Sequence, residues 1–191
     1  GVSPSSFLTA RSLEQIKNDI AYSNHPVTLV GISAGVSYGQ LGSTHHSIHD
    51  IAVLRAINNI DIIIPADNFE TREAIKSAVN YKRPLFIRFG KKPMMNLHTS
   101  NHNFKIGHGI KLKSGNDLVI VSTGETVNRA FKACEILEKL NINCTLISMH
   151  TIKPFDEDIL LNSLPKAKGV LTIEEHSVSG GLGEKCASIL S

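Results

Sequence analysis

The residues best suited to chemistry lie in one stretch, Gly31-Ile-Ser-Ala-Gly-Val-Ser-Tyr-Gly-Gln-Leu-Gly-Ser-Thr-His-His-Ser-Ile-His-Asp50. Gly31, Gly35, Gly39 and Gly42 carry the chain out of an apolar run, and His45, His46 and His49 follow. Neutral imidazoles near pH 7 can donate to and accept from hydroxyls and shuttle their protons. Several chemistries compete for this loop. Metal binding by His45, His46, His49 and Asp50 is one, but neighbouring His45 and His46 cannot easily face one ion, and zinc needs three or four convergent ligands. A serine nucleophile is another. Gly31-Ile32-Ser33-Ala34-Gly35 matches G-x-S-x-G, and Asp156 or Asp158 and His176 follow in suitable order. That elbow must turn at once into a helix, however, whereas Tyr38 to Gly42 intervene here, and no HGGG-type oxyanion loop precedes it. A third reading is a polar loop that handles a hydroxylated or phosphorylated small molecule, with Arg88 as a bidentate anchor for a phosphate. The bland alternative is that the histidines only cap and fill a helix entry. The loop has no GKS/T ending and no GxGxxG, which argues against a nucleotide phosphate loop.

The elements that must position this loop can be read from periodicity. Strand-length apolar runs recur at Val27–Val30, Ile60–Ile64, Leu85–Ile87, Leu118–Val121, Cys144–Ile147 and Val170–Ile173, each bounded by turn residues. Helical patterns lie between most of them, among them Leu13, Ile16 and Ile20, then Ile75, Ala78 and Val79, then Ala130, Ala133, Ile136, Leu137 and Leu140. Such alternation predicts two consecutive three-layer α/β domains with mainly parallel sheets. The histidine loop then falls at the carboxyl ends of strands, where open sheets bind ligands. With Ser47 as an N-cap, His45 and His46 project from outside the helix and His49 stands on its first turn. Asp67–Glu70 and Ser122–Glu125 read as capping boxes, and Pro154, ahead of Asp156, Glu157 and Asp158, suits a first helical turn.

Lys91 to His108 breaks this rhythm and reads as a linker between units 1–97 and 98–191. The first unit holds ten Lys/Arg against seven Asp/Glu and the second ten of each, so all excess positive charge lies in the first. Lys82, Arg83, Arg88, Lys91 and Lys92 crowd one strand, as a solvated surface or as an anion site. A net charge of +3 is too small to argue for nucleic acid. No run approaches the roughly 18 apolar residues of a membrane span, and no signal-peptide pattern opens the chain. Three cysteines without CxxC spacing suggest neither a disulfide framework nor a zinc ribbon, which fits a reducing cytoplasm. Both ends read as cut, with no strand expected before Phe7 and a helix after Gly180-Gly181-Leu182-Gly183 that meets Ser191. Of the other histidines, His98, His102 and His108 are expected in solvent, while His25, His150 and His176 flank strands as structural residues.

Gly42-Ser-Thr-His-His-Ser-Ile-His-Asp-Ile-Ala-Val-Leu-Arg55 resembles the transketolase family, in which a G-x-T-H segment precedes an "LR" helix. Ile62–Asp67, Pro84–Gly90, Phe7–Arg11, Met149–Pro154 and Glu174–Gly183 continue the resemblance in the family's order. It implies a pyrimidine-binding domain (1–97) and a C-terminal domain (98–191) of a thiamine-diphosphate enzyme transferring a two-carbon ketol unit between sugar or sugar phosphate substrates. By the same resemblance Phe7 stacks on the aminopyrimidine, His45 contacts the substrate near the reactive carbon, and Arg88 holds the sugar phosphate. Glu174, Glu175 and His176 would be structural or interfacial. Ser33 and Leu41 depart from the histidine and the acid of pentose-phosphate enzymes, so the sugar stays open. Mg²⁺ and the diphosphate would be held by a domain or subunit outside this chain. The chain is therefore expected to be inactive alone and to assemble as a homodimer or as a heterotetramer with a diphosphate-binding subunit. A pyruvate-using deoxyxylulose-phosphate synthase and a noncatalytic dimerising module remain as alternatives.

Overall fold

A computed structural model describes residues 1–98 and 102–191. Each of the six apolar runs forms a strand: β2 (Thr28–Ile32), β3 (Asp61–Ile63), β4 (Leu85–Arg88), β6 (Leu118–Ser122), β7 (Cys144–Ser148) and β9 (Val170–Ile173). Three short strands join them, β1 (Val2–Pro4), β5 (Ile110–Lys113) and β8 (Thr151–Lys153). β1 corrects the expectation that no strand precedes Phe7: it pairs parallel to β2, Val2 beside Val30. Among the described residues the strands form two mostly parallel sheets, ordered β1-β2-β4-β3-β8 and β5-β7-β6-β9. β8 and β5 are the antiparallel members.

The helices α1 (Ser5–Arg11), α3 (Asp50–Ala56) and α4 (Asn68–Val79) serve the first unit. So does α2 (Leu13–Gln15), which runs on as a π-helical stretch, Ile16–Tyr22. The second unit has α5 (Thr126–Lys139), α6 (Glu157–Leu161) and α7 (Leu182–Leu190). Among the described residues no helix is long and apolar enough to cross a membrane. The Asp67 cap forms as expected, Oδ1 accepting from Glu70 N at 2.9 Å while Glu70 Oε2 accepts from Ala66 N at 2.7 Å. The box at Ser122–Glu125 does not form. Glu125 turns away from its own helix, and its carboxylate accepts from Lys91 N at 3.0 Å and Lys92 N at 3.4 Å.

The two units share their interior. Ile51, Leu54, Ile62 and Ile64 pack in one apolar core with Val121, Ile147, Met149, Ile152 and Leu182. β8 of the second unit closes the first sheet on β3, and Lys153 Nζ caps the carbonyls of Arg55 and Ile57 after α3.

His98 is also a correction. Expected in solvent, its side chain is fully buried, with Nδ1 2.8 Å from Asp67 Oδ2 and Nε2 3.0 Å from Glu70 Oε1. Phe69 stacks on the ring at 4.9 Å, and Ser148 Oγ donates to Glu70 Oε1 at 2.6 Å. Burial opposes the imidazolium, but hydrogen bonds to Asp67 and Glu70 outweigh it and raise the pKa to about 9. Asp67 is likewise pushed up by burial and pulled down further by His98, Glu70 N and Leu97 N, to about 2. The capping residues of α4 thereby hold the segment that leaves the first unit.

Candidate functional site

β2 ends at Ile32, and the chain must leave the sheet without losing its backbone partners. Ser33 takes φ +53°, Ala34 N donates to Phe89 O at 3.0 Å, and Gly35 exchanges two backbone bonds with Ser47. At Gly35 φ is +63°, and a Cβ there would stand 2.2 Å from Glu175 Oε1, so glycine is required. Glu175 accepts from Val36 N at 2.6 Å, which ties the second unit to this loop. A 3₁₀ stretch (Gly39–Thr44) then leads to His45. Because Ser47 pairs with Gly35, α3 starts only at Asp50, with His49 flanking it. Ser47 is therefore not the cap, and His49 is not on the first turn.

His45 lies between two aromatic rings. Phe7, from α1, meets it edge-on at 5.1 Å and Tyr38 at 5.3 Å. Arg11 stacks over Phe7 at 4.4 Å, and Lys91 Nζ lies 4.8 Å from the centre of the Tyr38 ring. His45 Nδ1 is 2.9 Å from Thr44 Oγ1. His46 instead turns its Nε2 to Gly39 O at 3.0 Å and braces the loop. The structure thus brings Phe7 and His45 together and adds Tyr38, which no periodic signal had marked.

Arg88 stands on the same strand ends but points inward. Its Nε donates to Asp50 Oδ2 at 2.8 Å, and one terminal nitrogen donates to the carbonyls of Ser47 and Glu175, both at 3.0 Å. The pair is buried, with the Arg88 side chain 8% exposed. Asp50 also accepts from Ser5 Oγ at 2.6 Å. Burial pushes the Asp50 carboxyl up, yet Arg88 and the Ser5 bond hold it below its ordinary range. Nε and one terminal nitrogen of Arg88 are thus occupied by Asp50 and by two carbonyls, which fixes the guanidinium at the strand ends.

The competing chemistries find no geometry here. Ala52 N donates to His176 Nε2 at 3.4 Å while His176 Nδ1 faces Ser177 O at 2.8 Å, so this imidazole is occupied as structure. Asp156 caps α6. Neither serves Ser33. Among the described residues no three His, Cys, Asp or Glu side chains converge as metal ligands.

Residues 4–95 match the transketolase pyrimidine-binding domain and residues 107–191 the transketolase C-terminal domain. An apulose-4-phosphate transketolase subunit from Phocaeicola vulgatus is 40% identical over 189 residues, 98% of this chain and 61% of the relative. The 6-deoxy-6-sulfo-D-fructose transketolase subunit SqwH of a Clostridium species is 33% identical over 96% of this chain and 57% of its own length. A solved structure described as a split gene transketolase, inactive beta4 tetramer, superimposes with a TM-score of 0.90 at 32% identity. It is covered over 61% of its length by 99% of this chain. The chain thus spans about three fifths of the relatives it matches. In sequence, in both domains and in fold, the chain belongs to the transketolase family.

Proposed function

We propose that this chain is the pyrimidine-side part of a thiamine-diphosphate-dependent ketol transferase that works with a diphosphate-binding partner subunit. The observation that carries this reading is the Phe7–His45–Tyr38 cluster at the carboxyl ends of β2 and β4. An aromatic surface beside an imidazole suits a flat heteroaromatic ring next to a reacting hydroxyl. Bound thiamine diphosphate supplies the carbanion chemistry that cleaves a ketose beside its carbonyl and passes a two-carbon unit to an aldehyde. Phe7 offers the ring surface for the aminopyrimidine. Mg²⁺ and the diphosphate are assigned to the partner.

His45 handles the proton. The Thr44 hydroxyl also reaches Leu41 O, at 3.4 Å. With that donation, Nδ1 carries the ring proton and Nε2 presents its lone pair to a substrate hydroxyl. Tyr38 and Phe7 restrict the ring to this orientation, which favours a productive approach. Arg88 fixes the start of α3 and the floor beneath the loop through its pair with Asp50, and its remaining terminal nitrogen is the part we assign to the substrate's anionic end.

The two relatives are named for a ketose phosphate and a sulfonated ketose, so the substrate class we infer is a short ketose with an anionic terminus. The relatives' designation as subunits, and the tetramer described as inactive, support inactivity without the partner. The assembly is a homodimer of this chain or a heterotetramer with that partner. Free, buried Cys134, Cys144 and Cys186 suit a cytoplasmic setting.

The test mixes the full-length chain, its cognate diphosphate-binding partner, thiamine diphosphate and Mg²⁺. Ketol transfer from a ketose, with pyruvate inert, is the expected result. Condensation with pyruvate would place the chain with deoxyxylulose-phosphate synthase. Absence of cofactor binding by the mixture would leave only a dimerising module.

A further inference from the structure

His45 sits on a stretch whose own hydrogen bonds are local. Among the described residues, those of Ser37 to His46 run to Ala34, Val36 and one another: Gly39 N donates to Val36 O at 2.9 Å, and His45 N and His46 N both donate to Gly42 O at 3.0 Å. The backbone of this stretch is therefore placed by its two ends. The Gly35–Ser47 bridge closes the neck between them, and the second unit fixes where that neck stands. Ahead of the stretch, Glu175 Oε1 accepts from Val36 N at 2.6 Å, an approach that the absent side chain of Gly35 permits. Beyond it, Ser177 N donates to Ile48 O at 2.9 Å, and Ala52 N donates to His176 Nε2 at 3.4 Å. One nitrogen of Arg88 joins the carbonyls of Ser47 and Glu175 across the same neck. Three consecutive residues after β9, Glu175 to Ser177, thus hold both sides of the loop.

Resting on the ketol-transferase reading, we propose that Glu175 is a positioning residue through which the second unit sets the loop that carries His45. It acts through the backbone of Val36. Of the three residues it makes the shortest contact, and a carboxylate accepting from an N–H forms a bond roughly twice as strong as a neutral pair. Without that bond the 3₁₀ stretch after Val36 loses its leading anchor, and with it the placement of His45 between Phe7 and Tyr38. A misplacement of about 1 Å at a reacting group can cost about 10²-fold in rate. The neighbouring loop is held in the same manner, since Glu125 of the second unit accepts from Lys91 N and Lys92 N. The second unit's part in the site is geometric rather than chemical.

The experiment uses the full-length chain reconstituted with its diphosphate-binding partner, thiamine diphosphate and Mg²⁺, with xylulose 5-phosphate as donor and ribose 5-phosphate as acceptor. Wild type, Glu175→Ala and Glu175→Gln are compared, each with His45 and with His45→Ala. With His45 present, Glu175→Ala should lower kcat about tenfold or more and leave KM within a few-fold. Glu175→Gln, which keeps an oxygen acceptor, should recover much of the loss. In the His45→Ala background, Glu175→Ala should change the rate by less than about twofold, because the group it places is gone. A Glu175 that merely supports the fold would lower the rate by the same factor in both backgrounds. That result, or an unchanged kcat in Glu175→Ala, would overturn the proposal. Hydrogen exchange, read without turnover, separates the two claims: the Val36 amide should exchange faster in Glu175→Ala than in wild type or Glu175→Gln. If it does and no mixture transfers a ketol unit, the functional reading fails while the hold on the loop stands. Unchanged exchange removes the hold itself.

Discussion

His45 and His98 are both loop histidines packed against aromatic rings, yet their nitrogens meet opposite surroundings. His98 gives both nitrogens to buried carboxylates, those of Asp67 and Glu70, and is held as a cation. His45 has a neighbouring threonine at Nδ1 and aromatic edges around the ring. The same side chain is a fastener in one place and a reagent in the other. Arg88 and Lys91 differ in a related way three residues apart, one guanidinium drawn into a buried pair with Asp50 and one exposed ammonium resting on the Tyr38 ring. Groups whose hydrogen bonds are saturated stabilise the fold, and groups with an unspent donor or acceptor are available to a ligand.

Breaking a fastener should cost stability. The largest effect is expected for Arg88→Met, which leaves Asp50 charged and buried without its partner. Such losses run to about 3–5 kcal/mol, readable by urea unfolding. Arg88→Met combined with Asp50→Leu should recover most of that, because no uncompensated charge remains. An Arg88→Met protein as stable as wild type would remove the pair from the account.

The His98 clamp should show itself in pH dependence. Its pKa is raised from 6.5 to about 9, so its contribution is complete below 6.5 and fades as pH rises through 9. The amount is on the order of 3 kcal/mol. Unfolding measured at pH 6 and at pH 9.5 should therefore show wild type losing more stability than His98→Gln over that interval. Parallel losses in both proteins would contradict the clamp. Asp67 acts at the other end: with its pKa lowered from 3.8 to about 2, its contribution is present above 3.8 and lost as pH falls through 2.

A smaller effect is expected where the units touch at the loop. Gly35→Ala forces a side chain into a left-handed backbone and against Glu175. The backbone strain alone is about 1–2 kcal/mol. Adding Glu175→Ala should relieve the steric part and leave the backbone part, which a thermal melt of both variants resolves. Identical melting of the two variants would place the whole cost in the backbone.

Much of this arrangement was legible in the residues. β-Branched and aliphatic runs marked six strands because buried parallel strands need little else. β1 escaped notice because Val2-Ser3-Pro4 has neither length nor alternation, and β8 because Thr151-Ile152-Lys153 is ordered by pairing with β3 rather than by its own pattern. The histidine loop was visible as an aggregate of glycines and imidazoles, and its kinship singled out Phe7 and His45. Long-range pairing hid the rest. Ser47 lost its cap role to a backbone bridge with Gly35, Glu125 left its own helix for Lys91 and Lys92, and His98 found acids some thirty residues earlier in the chain. Tyr38 carries no motif and Lys91 stood out only as one of a basic cluster; their shared ring contact comes from the fold.

The central claim is that the imidazole left open at the rim handles protons in ketol transfer. The direct measurement is the single-turnover rate of the reconstituted complex with His45 and with His45→Ala, at saturating cofactor. The account predicts a fall of about 10²–10⁴ in rate, with folding and association with the partner unchanged. A His45→Ala complex that transfers the ketol unit at the wild-type rate would contradict it.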